Sequence, residues 1–349
     1  MNTHNLKILL LGISAALAIL SSAHAQPAAN GGPSYHVSQL FHVRGEGRWD
    51  YLTVDSEHKL LFVPRTTHTM VLDARTGKTV ADIPGQKRNH GVAIVPSAGR
   101  GFITDGEDGS VTVFDLKSYA VLGKVKAADD ADGVIYDPGS GKVLVVCGDA
   151  GVMIPIAPGV DPSSGKADPP VDLGGKPEFL AADGMGKAYI NLVDKDQVAV
   201  VDTKSMKVLS KWPTAPGGSP VGMAMDTAHR RLFVGCRRPQ QLVVMDADSG
   251  KVLAALPIGA GVDATKFDGD AFASCGDGTL TVVRETSPGT FQVVQTVRTP
   301  RGARTMGVDP ETHTVYLPTA EFEPQSGGSR PTPKPGSFMI VVVSPSAGS

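Results

Sequence analysis

The sequence predicts an all-β chain folded as a seven-bladed β-propeller of four-stranded antiparallel blades, and three observations support this prediction. A cassette made of an alternating strand, an Asp, a turn and a second strand occurs seven times, at intervals of 41 to 46 residues. Each interval contains four short β-type runs rather than apolar residues at helical spacing. The last copy lacks a fourth strand, which the N-terminal run 35–43 is predicted to supply, closing the ring.

The cassette is plainest in the fifth copy, where residues 220–226 form the alternating strand and residues 230–235 lead into the second strand. The residues in register with the Asp of this copy are the anchors of the seven repeats: Asp55, Pro96, Asp137, Asp183, Asp226, Asp268 and Asp309. A near-constant period of this size is typical of repeat architectures, in which each unit completes its core only against its neighbours. Residues 26–349 are therefore predicted to form one domain.

The segments between third and fourth strands have the composition of tight turns. Asp73 and Asp246 each begin a six-residue segment in which Ser or Thr and then Gly follow before a Lys. These residue types favour the reversal of direction in an antiparallel hairpin. Asp73 and Asp246 are therefore predicted to shape turns rather than to act in catalysis.

The second strands carry tetrads that resemble a known repeat signature. The tetrads are Phe62-Val63-Pro64-Arg65, Phe102-Ile103-Thr104-Asp105, Tyr189-Ile190-Asn191-Leu192, Phe233-Val234-Gly235-Cys236 and Tyr316-Leu317-Pro318-Thr319. They are similar to degenerate forms of the Tyr-Val-Thr-Asn signature of the YVTN, or YncE-like, seven-bladed propellers, and the similarity covers essentially the whole chain after residue 25. The resemblance implies a secreted or periplasmic binding propeller of mostly undefined ligand, and it supplies no catalytic residues.

The first 25 residues have the features of a cleavable export signal. Lys7 precedes an apolar run from Ile8 to Leu20, and Ala23-His24-Ala25 matches the small-x-small pattern of a cleavage site. The run is shorter than a transmembrane helix usually is, and no Cys follows the cleavage point to carry a lipid anchor. The protein is therefore expected to be periplasmic or secreted, without a membrane span.

The charge of the chain is close to balanced. Lys and Arg number 33 and Asp and Glu number 35, so the formal net charge is −2, and the two signs are mixed along the sequence. This distribution argues against a nucleic acid or an anionic membrane as the partner. The expected partner is a small molecule, a cation or another protein, and the chain is expected to be a monomer.

Equivalent positions in the seven repeats are predicted to meet at one end of the central channel, because the inner strands of a propeller begin at the same face. The residues five positions before the anchors are Asp50, Gly91, Asp132, Glu178, Val221, Asp263 and Arg304, and a histidine stands beside the glycine. The candidate ligand-binding residues are therefore Asp50, His90, Asp132, Glu178, Asp263 and Arg304.

The four carboxylates of this ring suggest two kinds of site. Asp50, Asp132, Glu178 and Asp263 could hold Ca²⁺ or another divalent cation through oxygen ligands, or the ring could grip a cationic or polyhydroxy molecule. The structural alternative is a water-filled channel lined by these side chains, with Arg304 paired to Asp263. No motif in the sequence requires a cofactor.

Two functions from different classes are consistent with the sequence. The leading hypothesis is an exported binding or scaffold protein with an acidic channel site, because the sequence has no G-x-S-x-G elbow, H-E-x-x-H motif or Walker loop. The alternative is a metal-assisted hydrolase or lyase of the lactonase-like kind, with the metal at the channel mouth. No catalytic residue is identified.

Three cysteines and two insertions complete the sequence features. Cys147, Cys236 and Cys275 stand at or next to the last place of their tetrads, which predicts small, buried side chains in a sheet. A disulfide between the last two would need Cα atoms within about 7 Å. Residues 155–175 and 320–337 are rich in Pro, Gly and Ser and are expected to be surface loops.

Overall fold

The computed structural model describes residues 31–324 and 331–346, and it confirms the seven-bladed propeller. In this part of the chain, the strands form seven four-stranded antiparallel sheets, one per repeat. One 3-10 helix, Pro96–Ala98, replaces the Asp turn in the second repeat. No helix within the described ranges is long and apolar enough to cross a membrane. The predicted export signal at residues 1–25 lies outside the described residues.

The strands follow the repeats along the chain, and the seventh blade combines both ends. Blades 1 and 2 contain β2 (Thr53–Asp55), β3 (Leu60–Pro64), β4 (His68–Asp73), β5 (Thr79–Pro84), β6 (Asn89–Val95), β7 (Arg100–Asp105), β8 (Ser110–Asp115) and β9 (Val121–Lys126). Blades 3 and 4 contain β10 (Ala131–Asp137), β11 (Lys142–Cys147), β12 (Val152–Ile156), β13 (Val171–Asp172), β14 (Pro177–Ala182), β15 (Lys187–Leu192), β16 (Gln197–Asp202) and β17 (Lys207–Pro213). Blades 5 and 6 contain β18 (Pro220–Asp226), β19 (Arg231–Arg237), β20 (Gln240–Asp246), β21 (Val252–Pro257), β22 (Val262–Asp268), β23 (Asp270–Cys275), β24 (Thr279–Ser287) and β25 (Thr290–Arg298). Blade 7 contains β26 (Gly307–Asp309), β27 (Thr314–Thr319), β28 (Met339–Pro345) and β1 (Tyr35–His42).

The N-terminal strand closes the ring, as the sequence predicts. In blade 7 the order is β1-β28-β27-β26, and β1 pairs with β28 along its whole length. Tyr35 and Phe41 of β1 are buried, and the ring of Tyr35 meets the edge of Phe272 in blade 6 at 5.0 Å between centroids. This pairing covers an edge of β28 that would otherwise expose unpaired backbone groups.

A buried arginine fixes the segment that leads from the closing strand to blade 1. Arg65 is 1% exposed, and its guanidinium lies 3.6 Å from the centre of the Phe338 ring. It donates hydrogen bonds of 2.9 to 3.3 Å to four backbone carbonyls, those of Arg44, Gly45, Gly47 and Arg48. Burial lowers the pKa of Arg65 to about 10. Because residues 44–48 are not paired in a sheet, Arg65 supplies hydrogen bonds to their carbonyls and sets the path of the chain toward Asp50.

The two faces of the ring are distinguished by the direction of the inner strands. We call the face at which these strands begin the upper face, and the face at which they end the lower face. At the lower face, the carboxylate of Asp137 accepts hydrogen bonds from the N–H groups two and three positions later, which lie within the turn, each at 3.0 Å. Asp73 and Asp246 bind the N–H groups two and three positions later in the same way. Their predicted role in turns is confirmed.

The core consists of apolar layers between adjacent sheets. Phe62 of blade 1 packs on Phe114 of blade 2 with 5.7 Å between ring centroids. Cys147, Cys236 and Cys275 are free and buried, and burial raises the pKa of each thiol to about 12. The cysteines are therefore small buried side chains, as predicted, and no disulfide joins them.

The two insertions lie on opposite faces. The first is shorter than predicted, because Val171 is buried and pairs with Met153 as part of the two-residue strand β13. The remaining connection, 157–170, joins the third and fourth strands of blade 3 at the lower face. The second insertion, 320–337, joins β27 to β28 at the upper face, and its residues 325–330 lie outside the described ranges.

Candidate functional site at the upper end of the channel

The six predicted site residues all lie where inner strands begin, at the upper face. We call this set the channel mouth: Asp50, His90, Asp132, Glu178, Asp263 and Arg304. The structure divides it into a group of three from blades 1 to 3 and an ion-paired cluster in blades 5 to 7. Glu178 of blade 4 lies between them in the blade order.

Local β-bulges place most of these side chains. In β6, His90 and Gly91 together oppose the single residue Thr104 of β7. Equivalent shifts of register in β10, β14 and β22 contain Asp132, Glu178 and Asp263, respectively. A bulge leaves one residue outside the ladder and turns its side chain away from the regular alternation. The bulges therefore present one polar side chain at the rim of the channel in each of these four blades.

The group of three brings an imidazole between two carboxylates. His90 Nδ1 lies 2.8 Å from Asp50 Oδ2 and 3.6 Å from Asp132 Oδ1. One ligand atom of each residue lies within 4.8 Å of the others, and within residues 31–324 and 331–346 this is the one such group of three His, Cys, Asp or Glu side chains. The side chains are 16 to 23% exposed, so a small ion could reach them from the channel.

The pKa values of His90 and Asp132 are both raised above their ordinary values. Burial by itself lowers the pKa of His90, but the hydrogen bond to Asp50 and the charge of Asp132 outweigh burial and raise this pKa to about 9. Burial raises the pKa of Asp132 well above its ordinary value, and the charge of Asp50 adds to this effect while His90 opposes it. A cation entering the group would therefore have to displace protons.

The second nitrogen of the imidazole is enclosed. Nε2 of His90 is buried and has no hydrogen-bond partner among the described residues. It faces Gly106 in the loop between β7 and β8, where a Cβ atom would lie 2.7 Å from Nε2. The glycine thus leaves the space that this ring position requires, and the ring presents Nδ1 to the two carboxylates.

The other cluster is a network of one carboxylate and two guanidinium groups. Asp263 is 6% exposed, its Oδ2 lies 2.9 Å from Arg304 Nε, and its Oδ1 accepts a hydrogen bond from Arg237. Burial raises the pKa of Asp263, although both guanidinium groups oppose this effect. The predicted contact with Arg304 is present. Arg237 was missed because it ends a second strand, β19, and so lies outside the register of the inner strands.

Glu178 belongs to neither contact set. Burial raises its pKa, the charge of Asp263 adds to this effect, and Arg237 opposes it. Its carboxylate is not part of the group whose ligand atoms lie within 4.8 Å of one another. Of the four carboxylates expected to bind a metal, the structure therefore brings Asp50 and Asp132 together with His90 and holds Asp263 between two arginines.

A cavity of about 710 Å³ adjoins the mouth at Arg304. Its wall includes Arg48, Trp49, Arg301 and Phe322, and the two aromatic rings are 6.1 Å apart. This volume lies within the usual range for small-molecule sites. Because residues 320–324 form part of the wall, the second insertion borders the candidate site rather than an unrelated surface.

The fold and this site define a seven-bladed β-propeller with a charged channel mouth, and comparisons with known proteins support the fold. No family model matches the chain, and no curated protein matches it. A solved structure of hydrazine synthase from Kuenenia stuttgartiensis is similar, with a TM-score of 0.66 and 14% sequence identity, over 85% of this chain and 95% of that chain. Similarity at this identity shows the fold alone, because one fold hosts many activities. The assignment to the YVTN family stays a prediction.

Proposed function

We propose that the protein is an exported binding propeller that holds a divalent cation and a small ligand at the channel mouth. The observation that supports the cation is the position of His90 Nδ1 between Asp50 and Asp132, with all three ligand atoms within 4.8 Å. One imidazole nitrogen and two carboxylate oxygens suit Mn²⁺ or Zn²⁺ better than Ca²⁺, which takes roughly six to eight oxygen ligands. The imidazole ligand thus changes the expected metal from Ca²⁺, which carboxylates alone suggest, to Mn²⁺ or Zn²⁺.

The charges around the group favour a ligand that carries oxygen atoms. On one side a cation would be bound by Asp50, His90 and Asp132, and on the other side Arg304 lines the adjoining cavity of about 710 Å³. A small molecule with carboxylate or hydroxyl groups could complete the coordination of the cation and accept hydrogen bonds from the guanidinium. Trp49 and Phe322 supply apolar surface for the rest of the molecule.

Export is proposed from residues 1–25 and from the resemblance of the tetrads to YVTN propellers. The enzymatic alternative, a metal-assisted hydrolase or lyase, is not proposed, because no feature of the mouth favours turnover over binding.

Thermal unfolding with added cations tests the proposal. The protein is stripped with a chelator, and Mn²⁺, Zn²⁺ or Ca²⁺ is added at pH 6 and pH 8.5. We expect Mn²⁺ or Zn²⁺ to raise the melting temperature by several degrees, since saturating a site at 100 times its dissociation constant adds about 2.7 kcal/mol. The increase should be larger at pH 8.5, because His90 must lose its proton to bind a metal.

Two variants make the result specific to the mouth. Asp132→Asn should abolish the cation response. Asp149→Asn is the matched control, because Asp149 lies in an upper-face loop, is exposed and pairs with Lys176 at 2.6 Å. An unresponsive parent, or an equal response in both variants, would show that the group does not bind the cation.

A further inference from the structure

The residues two positions before the anchors define a second level, in the lower part of the channel. One of the seven side chains at this level is charged. The seven residues at this level are Thr53, Ile94, Ile135, Ala181, Ala224, Lys266 and Gly307. Six of them are uncharged, and the exception is in β22. We call the space around Lys266 the lower chamber.

An aromatic pair lies between the channel mouth and the lower chamber. Tyr51 and Phe179 stack at 4.4 Å between ring centroids with an interplanar angle of 15°, and both are buried. Each stands one residue after a member of the mouth, and the Tyr51 hydroxyl donates to the backbone carbonyl of Asp263. Nζ of Lys266 lies 5.1 Å from the centre of the Phe179 ring. The pair therefore separates Lys266 from the carboxylates above it.

Lys266 borders cavities on several sides. Three cavities of about 420, 340 and 280 Å³ share it as a lining residue. Their walls are largely apolar and include Leu52, Ile94, Ile135, Met225 and Phe267. Two of the three extend to lower-face turns, at Pro138 and Pro310. A small molecule could therefore approach the amine from the lower face.

The amine has no polar partner in the described part of the chain. None of the hydrogen bonds or ion pairs between described residues involves Nζ of Lys266, and the residue is half-buried. Desolvation lowers the pKa of Lys266 to about 8. At pH 7, roughly a tenth of such amines are uncharged, against about three in ten thousand for a lysine with an ordinary pKa.

We propose that Lys266 is a covalent binding site for small apolar aldehydes or ketones that enter from the lower face. The uncharged amine attacks the carbonyl carbon, and a C–N bond forms to give a carbinolamine. The carbonyl oxygen then leaves as water with the two amine hydrogens, and an imine remains; no oxidant or cofactor is needed. A lysine desolvated in an apolar pocket is suited to this chemistry, and the Phe179 face stabilises the protonated imine.

Reductive trapping tests the proposal on the full-length protein. A low concentration of benzaldehyde is added at pH 7.5 with cyanoborohydride, which reduces the imine to a stable secondary amine, and labelled lysines are identified by peptide mass spectrometry. We expect Lys266 to be labelled at least roughly ten-fold faster than the exposed Lys117 and Lys204. Labelling of Lys266 no faster than of these two residues would overturn the proposal.

Matched probes and variants define the site further. 4-Carboxybenzaldehyde has nearly the same shape with an added charge and should label Lys266 more slowly; equal or faster labelling would overturn the apolar ligand class. Lys266→Arg should lose this label and keep those on Lys117 and Lys204. If Lys266→Arg does not fold, the ratio between Lys266 and Lys204 in the parent still decides the outcome.

Discussion

The channel mouth and the lower chamber are formed by the same inner strands, yet the pKa values of His90 at the mouth and Lys266 in the chamber shift in opposite directions. Burial taken by itself acts to lower the pKa of both His90 and Lys266. At the mouth, Asp50 and Asp132 outweigh burial and raise the pKa of His90 to about 9. In the lower chamber desolvation acts without an opposing carboxylate, and the pKa of Lys266 falls to about 8. The comparison shows that the partner, rather than burial, decides the sign of the shift.

The same contrast separates two kinds of chemistry within one channel. The mouth holds protons on groups that a metal could occupy, whereas the lower chamber holds an amine that is partly uncharged at neutral pH. Tyr51 and Phe179 keep these environments apart. Because each blade contributes one residue per level, a substitution in one inner strand can change one level without changing the other.

The largest effect is expected from opening the ring, which would remove both environments. Deleting residues 35–42 removes the buried side chains of Tyr35 and Phe41 and exposes the edge of β28. We expect the melting temperature to fall by at least about 10 °C and the protein to associate, because burial is lost and an unpaired edge is created. Calorimetry and light scattering measure both. A deletion variant as stable and monomeric as a control that begins at Gly31 would contradict the closure.

A substitution at Lys266 tests the lower chamber. Protonation of this lysine is disfavoured in the folded state, so its cost is complete below about pH 8 and disappears as the pH rises toward 10.5. Lys266→Met should therefore raise the free energy of unfolding at pH 7 by about 1 to 3 kcal/mol, and the gain should shrink at pH 10. Urea unfolding at both pH values measures the difference. Lys204→Met is the exposed control, and a Lys266→Met variant that is less stable at pH 7 would contradict the desolvation argument.

A smaller effect of opposite pH dependence is expected at the mouth. Because the folded-state pKa of His90 is raised from 6.5 to about 9, its stabilising contribution is complete below about pH 6.5 and is lost as the pH rises through 9. His90→Asn should be about 1 to 2 kcal/mol less stable than the parent at pH 6, with a smaller difference at pH 9.5. His229→Asn is the control, since His229 pairs with Asp226 at 2.7 Å but is 70% exposed. A constant difference for His90→Asn across this range would show that its charge does not contribute.

The sequence by itself determined the architecture, because the repeat places equivalent residues at equivalent positions. The anchors of the seven copies predict one sheet per copy, and the missing fourth strand of the last copy predicts the closing strand at residues 35–43. The same register predicts that Asp132 and Asp263 lie at one end of the channel. These predictions depend on strand periodicity and turn chemistry, which are local properties.

Apart from the pair of Asp263 and Arg304, which the sequence suggested, only the tertiary structure decided which side chains of the channel meet. The bulge in β6 places the side chain of His90 next to Asp50 and Asp132. Arg237 of blade 5 reaches Asp263 of blade 6, and Lys266 of blade 6 faces Phe179 of blade 4. Such contacts depend on distances of a few ångströms between residues far apart in sequence, and these distances set the charge of each group. A repeat fixes the level of a residue in the channel, but it does not fix the residue's neighbours.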